Sequence, residues 1–394
     1  MVEVSSRERV LTALEFKEPD RVPIDIGATN VSAIALQAYK NYVAYKGLEG
    51  EEPFELMDII QQLAQPSEAF LDLFQSDVRG LMPLYYANYP LPEGGARWLS
   101  SHQSVGDKVL YRDEWDIVYQ FRSASDLYYA VKAPVLPNEE ITLKDVEALK
   151  IPDSSAPWRF EFIEEKIAQA KARHKAIICK TLNSGFIETG AKIRGMEQVM
   201  VDLLLNPLEF EALMERIYQF KYLYWESVLE RFGKSIDIIV EADDYGTQSG
   251  LIVGKEVFLK YFKPRWQKLF AMIKKRAPHL KIFFHSCGAV REIIPEFIEM
   301  GVDILNPIQF SADGMEKKGL KKDFGRDIVF WGGGIDTQRL LPQGSPEEIR
   351  EAVKRTVDEL APGGGWVFAT VHNVQADVPP ENLEALRDAI VNFR

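Results

Sequence analysis

From residue 158 onward, short apolar runs alternate with longer amphipathic stretches, and the alternation predicts strands and helices in turn. The predicted strands are AIICKTL (176–182), IDIIVEADD (236–244), KIFFHSC (281–287), VDILNPI (302–308), DIVFWGGGID (327–336) and GWVFATV (365–371). Between them run predicted helices over 161–173, 194–206, Pro207 to Phe232, Glu256 to Arg276 with an interruption at Pro264, 290–300, Met315 to Lys322, 345–360 and 379–393. At the start, Ser5 reads as an N-cap for an amphipathic helix from Arg7 to Phe16, ended by Pro19. RVPIDIGA then reads as a strand closing on Gly27, and Ala33 to Tyr45 as a helix.

The later strands are continuously apolar, which predicts a parallel sheet covered on both faces. Their C-terminal ends carry polar residues: Glu241, Asp243 and Asp244; His285 and Cys287; Asn306 and Gln309; Gly332 to Gly334 with Asp336; His372 and Asn373. A doubly wound sheet concentrates its site at one switch point, whereas a (β/α)8 barrel gathers all its strand ends into one ring. Five decorated ends in succession favour the TIM barrel. FWGGGID lacks the spacing of a dinucleotide fingerprint or P-loop, so its glycines read as close backbone approach at the mouth. The chain is expected to be one barrel domain over 1–394 with an N-terminal helical extension. Residues 80–157 differ in texture, with Tyr85, Tyr86, Tyr89, Trp98, Tyr111, Trp115, Tyr119 and Tyr128 among prolines and glycines. They read as a β-rich insertion capping the barrel mouth.

Composition narrows the function. The 394 residues are 46% hydrophobic, ample for a large core, and carry a net charge of −12 from 59 acidic and 47 basic residues. That balance argues against nucleic acid and against an anionic membrane surface. No apolar stretch approaches the roughly 20 residues of a membrane span. MVEVSSRERV lacks the pattern of a signal peptide, and two cysteines make no disulfide framework. A reducing cytoplasm is the expected setting.

Only five His and two Cys occur, and three of these seven stand just after apolar runs: His285, Cys287 and His372. Imidazole nitrogen and thiolate sulfur are the ligands Zn²⁺ prefers. Residues i and i+2 of an extended chain face the same side, so His285 and Cys287 can meet one ion, and His372 can close a three-ligand site. Cys179 reads as core; His102, His174 and His279 read as solvated.

Several segments together resemble the uroporphyrinogen decarboxylase superfamily: IIVEADDYGTQSGLIVGKEVFLKYFKPRWQKL, KIFFHSCGAVREIIPEFIEMGVDILNPIQ, IVFWGGGIDTQRLLPQGSPEEIREAVKR, PPENLEAL and the N-terminal SSRERVLTALEFKEPDRVPIDIGATN. The resemblance implies a (β/α)8 barrel and offers two chemistries. One branch decarboxylates uroporphyrinogen without a cofactor. The other comprises zinc-dependent methyltransferases that work with a corrinoid (cobalamin) protein. Thiol-methylating members of that branch use a His-x-Cys pair and a later Cys. His285-Ser286-Cys287 matches the pair, and His372 falls where the later Cys would stand. A neutral ligand in place of a thiolate leaves the zinc a stronger Lewis acid, which suits an ether oxygen better than a thiolate nucleophile. The decarboxylase branch carries an Arg-rich PxxxMRQAGRY-type segment, whereas RVPIDIGATN has no Arg after Arg21.

The expectation is therefore methyl transfer from a methoxylated, aromatic compound to the Co(I) of a separate corrinoid protein. A cofactor-free decarboxylase and a methylcorrinoid:thiol methyltransferase remain as alternatives. His285, Cys287 and His372 are the expected metal ligands. Glu241 is expected to be a fourth ligand or to orient one, and Asp243 and Asp244 to fix the histidine tautomers. Asn306, Gln309, Asp336, Tyr85 and Tyr86 are expected on the substrate. The sequence leaves the methyl donor and self-association, a homodimer included, open.

Overall fold

The computed structural model describes residues 4–48, 54–84, 102–105, 108–121, 128 and 130–392, with 102–105, 108 and 109 as backbone only. Tyr85, Tyr86, Tyr89 and Trp98 lie outside the described residues.

Seven strands form one parallel sheet in sequence order: β1 (Val78–Leu81), β2 (Ala176–Lys180), β3 (Ile238–Ala242), β4 (Lys281–His285), β5 (Ile304–Asn306), β6 (Val329–Trp331) and β7 (Trp366–Val367). The sheet curls until its two edges reach the same segment near the N-terminus. Ile24 makes a parallel bridge to Phe368 beyond β7. The carbonyl of Ile24 also accepts from the N–H of Asp77, just before β1, at 2.8 Å. The last strand is shorter than the apolar run predicts, because GWVFATV leaves regular pairing after Val367.

Strand alternation sorts the side chains into two cores. Val78, Ala176, Ile178, Ile238, Val240, Phe283, Ile304, Val329, Trp331 and Val367 form an inner cluster. Their neighbours in sequence, such as Ile177, Ile239, Phe284 and Leu305, pack outward against the helices. Helix α1 (Ser6–Leu14) starts in a Ser5–Glu8 capping box and adds Val10, Ala13 and Leu14 to the inner cluster. It so fills the end of the sheet where the strands begin.

Three further helices bear on the site. Helix α2 (Phe186–Arg194) follows β2, α3 (Pro207–Phe232) is the long outer helix with Pro at its first position, and α4 (Lys263–Arg276) precedes β4. The interruption predicted at Pro264 is a π-helical turn over Phe258–Phe262. Between β1 and β2 lies a four-stranded antiparallel sheet (His102–Val105, Lys108–Arg112, Val118–Phe121, Ala130–Ala133). No helix among the described residues is long and apolar enough to cross a membrane.

Candidate functional site

His285 is the last residue of β4, and alternation from Phe283 turns its ring inward. The chain then extends through Ser286 to Cys287 and turns at Gly288, whose φ of +85° suits glycine. A Cβ there would come within 2.4 Å of the Gly246 backbone, so the loops after β3 and β4 touch backbone to backbone. His372 arrives beyond β7. Its carbonyl takes a hydrogen bond from the Thr370 hydroxyl at 2.6 Å, and Val374 N–H is tied to the carbonyl of Ala33.

The three side chains converge. One ligand atom from each of His285, Cys287 and His372 lies within 4.8 Å of the others, and Cys287 Sγ stands 3.3 Å from His285 Nε2. The tautomer of His285 is set by its neighbour in register, Asn306. Asn306 Nδ2 donates to the carbonyl of Trp331 at 2.7 Å, leaving Oδ1 to accept from His285 Nδ1. The proton is thereby held on Nδ1, and the Nε2 lone pair is free on the side facing Cys287. Burial lowers the pKa of both imidazoles, and each is neutral near pH 7, the form that can ligate a metal.

Asp244 stands beside this cluster. Its Oδ1 accepts from the Cys287 N–H at 2.8 Å and lies 3.6 Å from His285 Nε2. Glu188, in the first turn of α2, faces the same space. Burial raises both carboxyls, with the Asp244 charge adding to the rise at Glu188, and burial with these two acids raises the Cys287 thiol well above its usual range. Two soft or borderline ligand types, neutral imidazoles and crowded acids fit a divalent cation of the zinc class, whose charge would relieve the repulsion.

The cluster opens on a cavity of about 400 Å³, the size of a small-ligand site. Its lining includes the aromatic side chains Tyr111, Trp115, Tyr119 and Tyr128 and the polar Lys180, Lys192, Glu188, Asp58 and Asn30. Trp115 is anchored edge-on against Phe220 of α3, with centroids 4.8 Å apart. The Tyr128 hydroxyl donates to Asn373 Oδ1 at 3.1 Å, which joins this lining to the loop of His372.

Several expectations are corrected by this geometry. Glu241 falls on the outward face of β3, between Val240 and Ala242. It pairs with Lys221 of α3 at 2.7 Å, accepts from Trp225 Nε1 at 2.6 Å, and does not reach the cluster. Asp243 fixes no histidine: its carboxylate takes the N–H groups of Phe186, Ile187 and Glu188 and caps α2. The tautomer falls to Asn306, expected on the substrate. Gln309 accepts from Gly288 N–H at 2.8 Å and braces the turn after Cys287. Asp336 accepts from Gln338 N–H in its own loop and is outside the cavity. Tyr85 and Tyr86 lie outside the described residues.

Glu188, Lys180, Lys192 and Asn30 were not among the expected site residues. Lys180 had a signal: counting by twos from Ala176 and Ile178 turns it inward at the end of its strand.

A family model described as Uroporphyrinogen decarboxylase (URO-D) matches residues 125–393. Similar curated proteins include the uroporphyrinogen decarboxylase of Geobacillus kaustophilus (strain HTA426), 24% identical over 64% of this chain and 69% of its own length. That of Syntrophotalea carbinolica (strain DSM 2380 / NBRC 103641 / GraBd1) is 24% identical over 70% of this chain and 77% of its own. Among solved structures, a methyltransferase from Methanosarcina mazei shares the fold at a TM-score of 0.65 and 17% identity, covering 99% of both chains. The chain belongs to the uroporphyrinogen decarboxylase family.

Proposed function

We propose that this protein is a zinc-dependent methyltransferase that moves a methyl group from a methoxylated, aromatic compound to the Co(I) of a separate corrinoid protein. The same reading takes the Ile24 segment as the eighth strand of a (β/α)8 barrel with its site at the C-terminal strand ends. The observation that carries it is the convergence of His285, Cys287 and His372 within 4.8 Å beside an aromatic-walled cavity. Those three residues would hold the metal, and zinc supplies Lewis-acid polarisation of an ether oxygen.

The chain's own residues do the rest. Asn306 keeps the His285 proton on Nδ1, so that Nε2 stays a lone-pair donor. Asp244 fixes the Cys287 backbone through its N–H. Tyr111, Trp115 and Tyr119 present ring faces and edges to an aromatic guest and keep water from the reacting end.

The decarboxylase reading draws on the names of the relatives. The cavity speaks against it. Five acids (Asp58, Asp113, Glu114, Glu188 and Asp244) line it against two lysines. A tetrapyrrole with many carboxylates needs the opposite balance.

Metal analysis of the purified protein tests the reading, with His285→Ala and His372→Ala alongside, followed by methyl transfer from a methoxyarene to a Co(I) corrinoid protein. The expected result is about one zinc per chain, lost in both variants. No metal in any preparation, even after zinc is offered, would sink the methyltransferase and restore the decarboxylase.

A further inference from the structure

The polar lining of the cavity holds charge that the metal cluster does not use. Lys180 ends β2 with its side chain inward, and Lys192 reaches the same cavity from α2. Lys192 Nζ donates to the Ser184 hydroxyl at 2.5 Å. Among the described residues neither ammonium forms an ion pair. Burial and the nearby Lys192 bring Lys180 down to about 8, while Asp58 and Glu188 act on it from a distance and keep it charged near neutrality. Asn30 lines the same cavity; it is 5% exposed, and its Oδ1 has no hydrogen-bond partner. Its Nδ2 is engaged by Asp58 Oδ2, so the amide cannot turn over without setting oxygen against carboxylate.

Two cations without ion-pair partners and one unpaired buried acceptor line the same cavity and describe a ligand. A buried polar group without a partner costs free energy that a bound molecule can recover. We infer that the cavity recognises a methoxylated ring acid, its carboxylate seated between Lys180 and Lys192 and a ring hydroxyl donating to Asn30 Oδ1. The acids Asp58 and Glu188 in the same lining offset the two lysines, so the site carries little excess positive charge and favours a monoanion over a dianion such as phosphate. The His285–Cys287–His372 cluster stands at the end of β4 and beyond β7, whereas Lys180 ends β2, so acid and methoxy group of one molecule are assigned to different strand ends around the cavity. This inference rests on the methyltransferase reading for the methoxy end, whereas the acid end stands on the lysines alone.

The test is calorimetric titration of the zinc-treated full chain with 4-methoxybenzoate and with its neutral amide, 4-methoxybenzamide. Lys180→Gln and Lys192→Gln are titrated in parallel, with melting curves to verify that each is folded. The acid is expected to bind ~10-fold or more tightly than the amide, and either substitution to remove most of that preference. Equal affinities, or binding of neither compound, would overturn the inference. A preference that survives in both lysine variants would put the carboxylate on the metal cluster and overturn it too. An acid preference without any methyl transfer would leave the subsite standing and remove the demethylase reading. Turnover of a methyl ether without acid preference would do the reverse.

Discussion

At the scale of single residues, the site depends on which side chain holds which proton. Asn306 is fixed at both ends of its amide, by Trp331 carbonyl and by His285 Nδ1, and so has one way to stand. Removing it frees the His285 ring to turn and to exchange tautomers. Asn306→Ala is expected to weaken zinc binding by ~10–100-fold, the usual effect of losing a partner that orients a ligand. Competition against a chelator of known affinity measures this, and unchanged affinity in a folded variant would exclude the role. The three convergent residues were legible in the sequence because ligand-type side chains were scarce and stood at strand ends. The orienting partner was not. An acid beside a histidine is the ordinary expectation, and only the register that sets Asn306 opposite His285 reveals the amide.

Among secondary-structure elements, strand parity decides who belongs to the cavity. Glu241 and Asp243 stand in one acidic run with Asp244, and their residue types alone do not separate them. Alternation places Glu241 outward, under α3, where Lys221 neutralises it. Asp243 turns back beneath α2, which is possible because residue 185 is glycine: a Cβ there would lie 2.1 Å from Asp243 Cγ. Three N–H groups at the start of α2 depend on that carboxylate, as does the Tyr245 hydroxyl. Asp243→Ala should therefore cost about 3 kcal/mol of stability, and Asp243→Asn less, since it keeps an acceptor. Urea denaturation reads the loss. Zinc content should persist in folded Asp243→Ala, which separates a cap from a ligand, and its disappearance would return Asp243 to the metal site. The succession of strands and helices was readable from periodicity, down to the helix of Pro207–Phe232. What escaped was the irregular chain after β7, where the apolar run keeps only the isolated bridge of Phe368 to Ile24.

For the molecule as a whole, closure of the sheet has a titratable group at its seam. Asp25 follows Ile24 and faces the interior, fully buried. It accepts from Trp331 Nε1 at 2.9 Å and from Ala28 N–H at 3.2 Å, joining the N-terminal segment to β6 across the inside of the sheet. Burial raises its pKa from 3.8 to about 6. The sign follows. Below pH 3.8 folded and unfolded chains both hold the proton; between 3.8 and about 6 only the folded chain does. Above that the folded protein carries a buried charge that costs about 3 kcal/mol relative to acid conditions. Glu384, lowered to about 2 by Arg387, Tyr42 and Lys46, gives up its stabilisation only as pH falls below 4.5, and so does not mask the effect above it. Burial raises Asp113, Glu188, Asp243 and Asp244 in the same direction as Asp25, whereas burial lowers His285 and His372, which work against it over the same range. Zinc affinity runs the other way, rising with pH as its ligands lose protons, so the measurement belongs in chelator. Set against the native chain in chelator, metal-free Asp25→Asn should keep more of its melting temperature as pH rises from 4.5 to 7, whatever its absolute stability. Parallel slopes would mean that Asp25 stays ionised in the folded state, held by its indole and backbone donors.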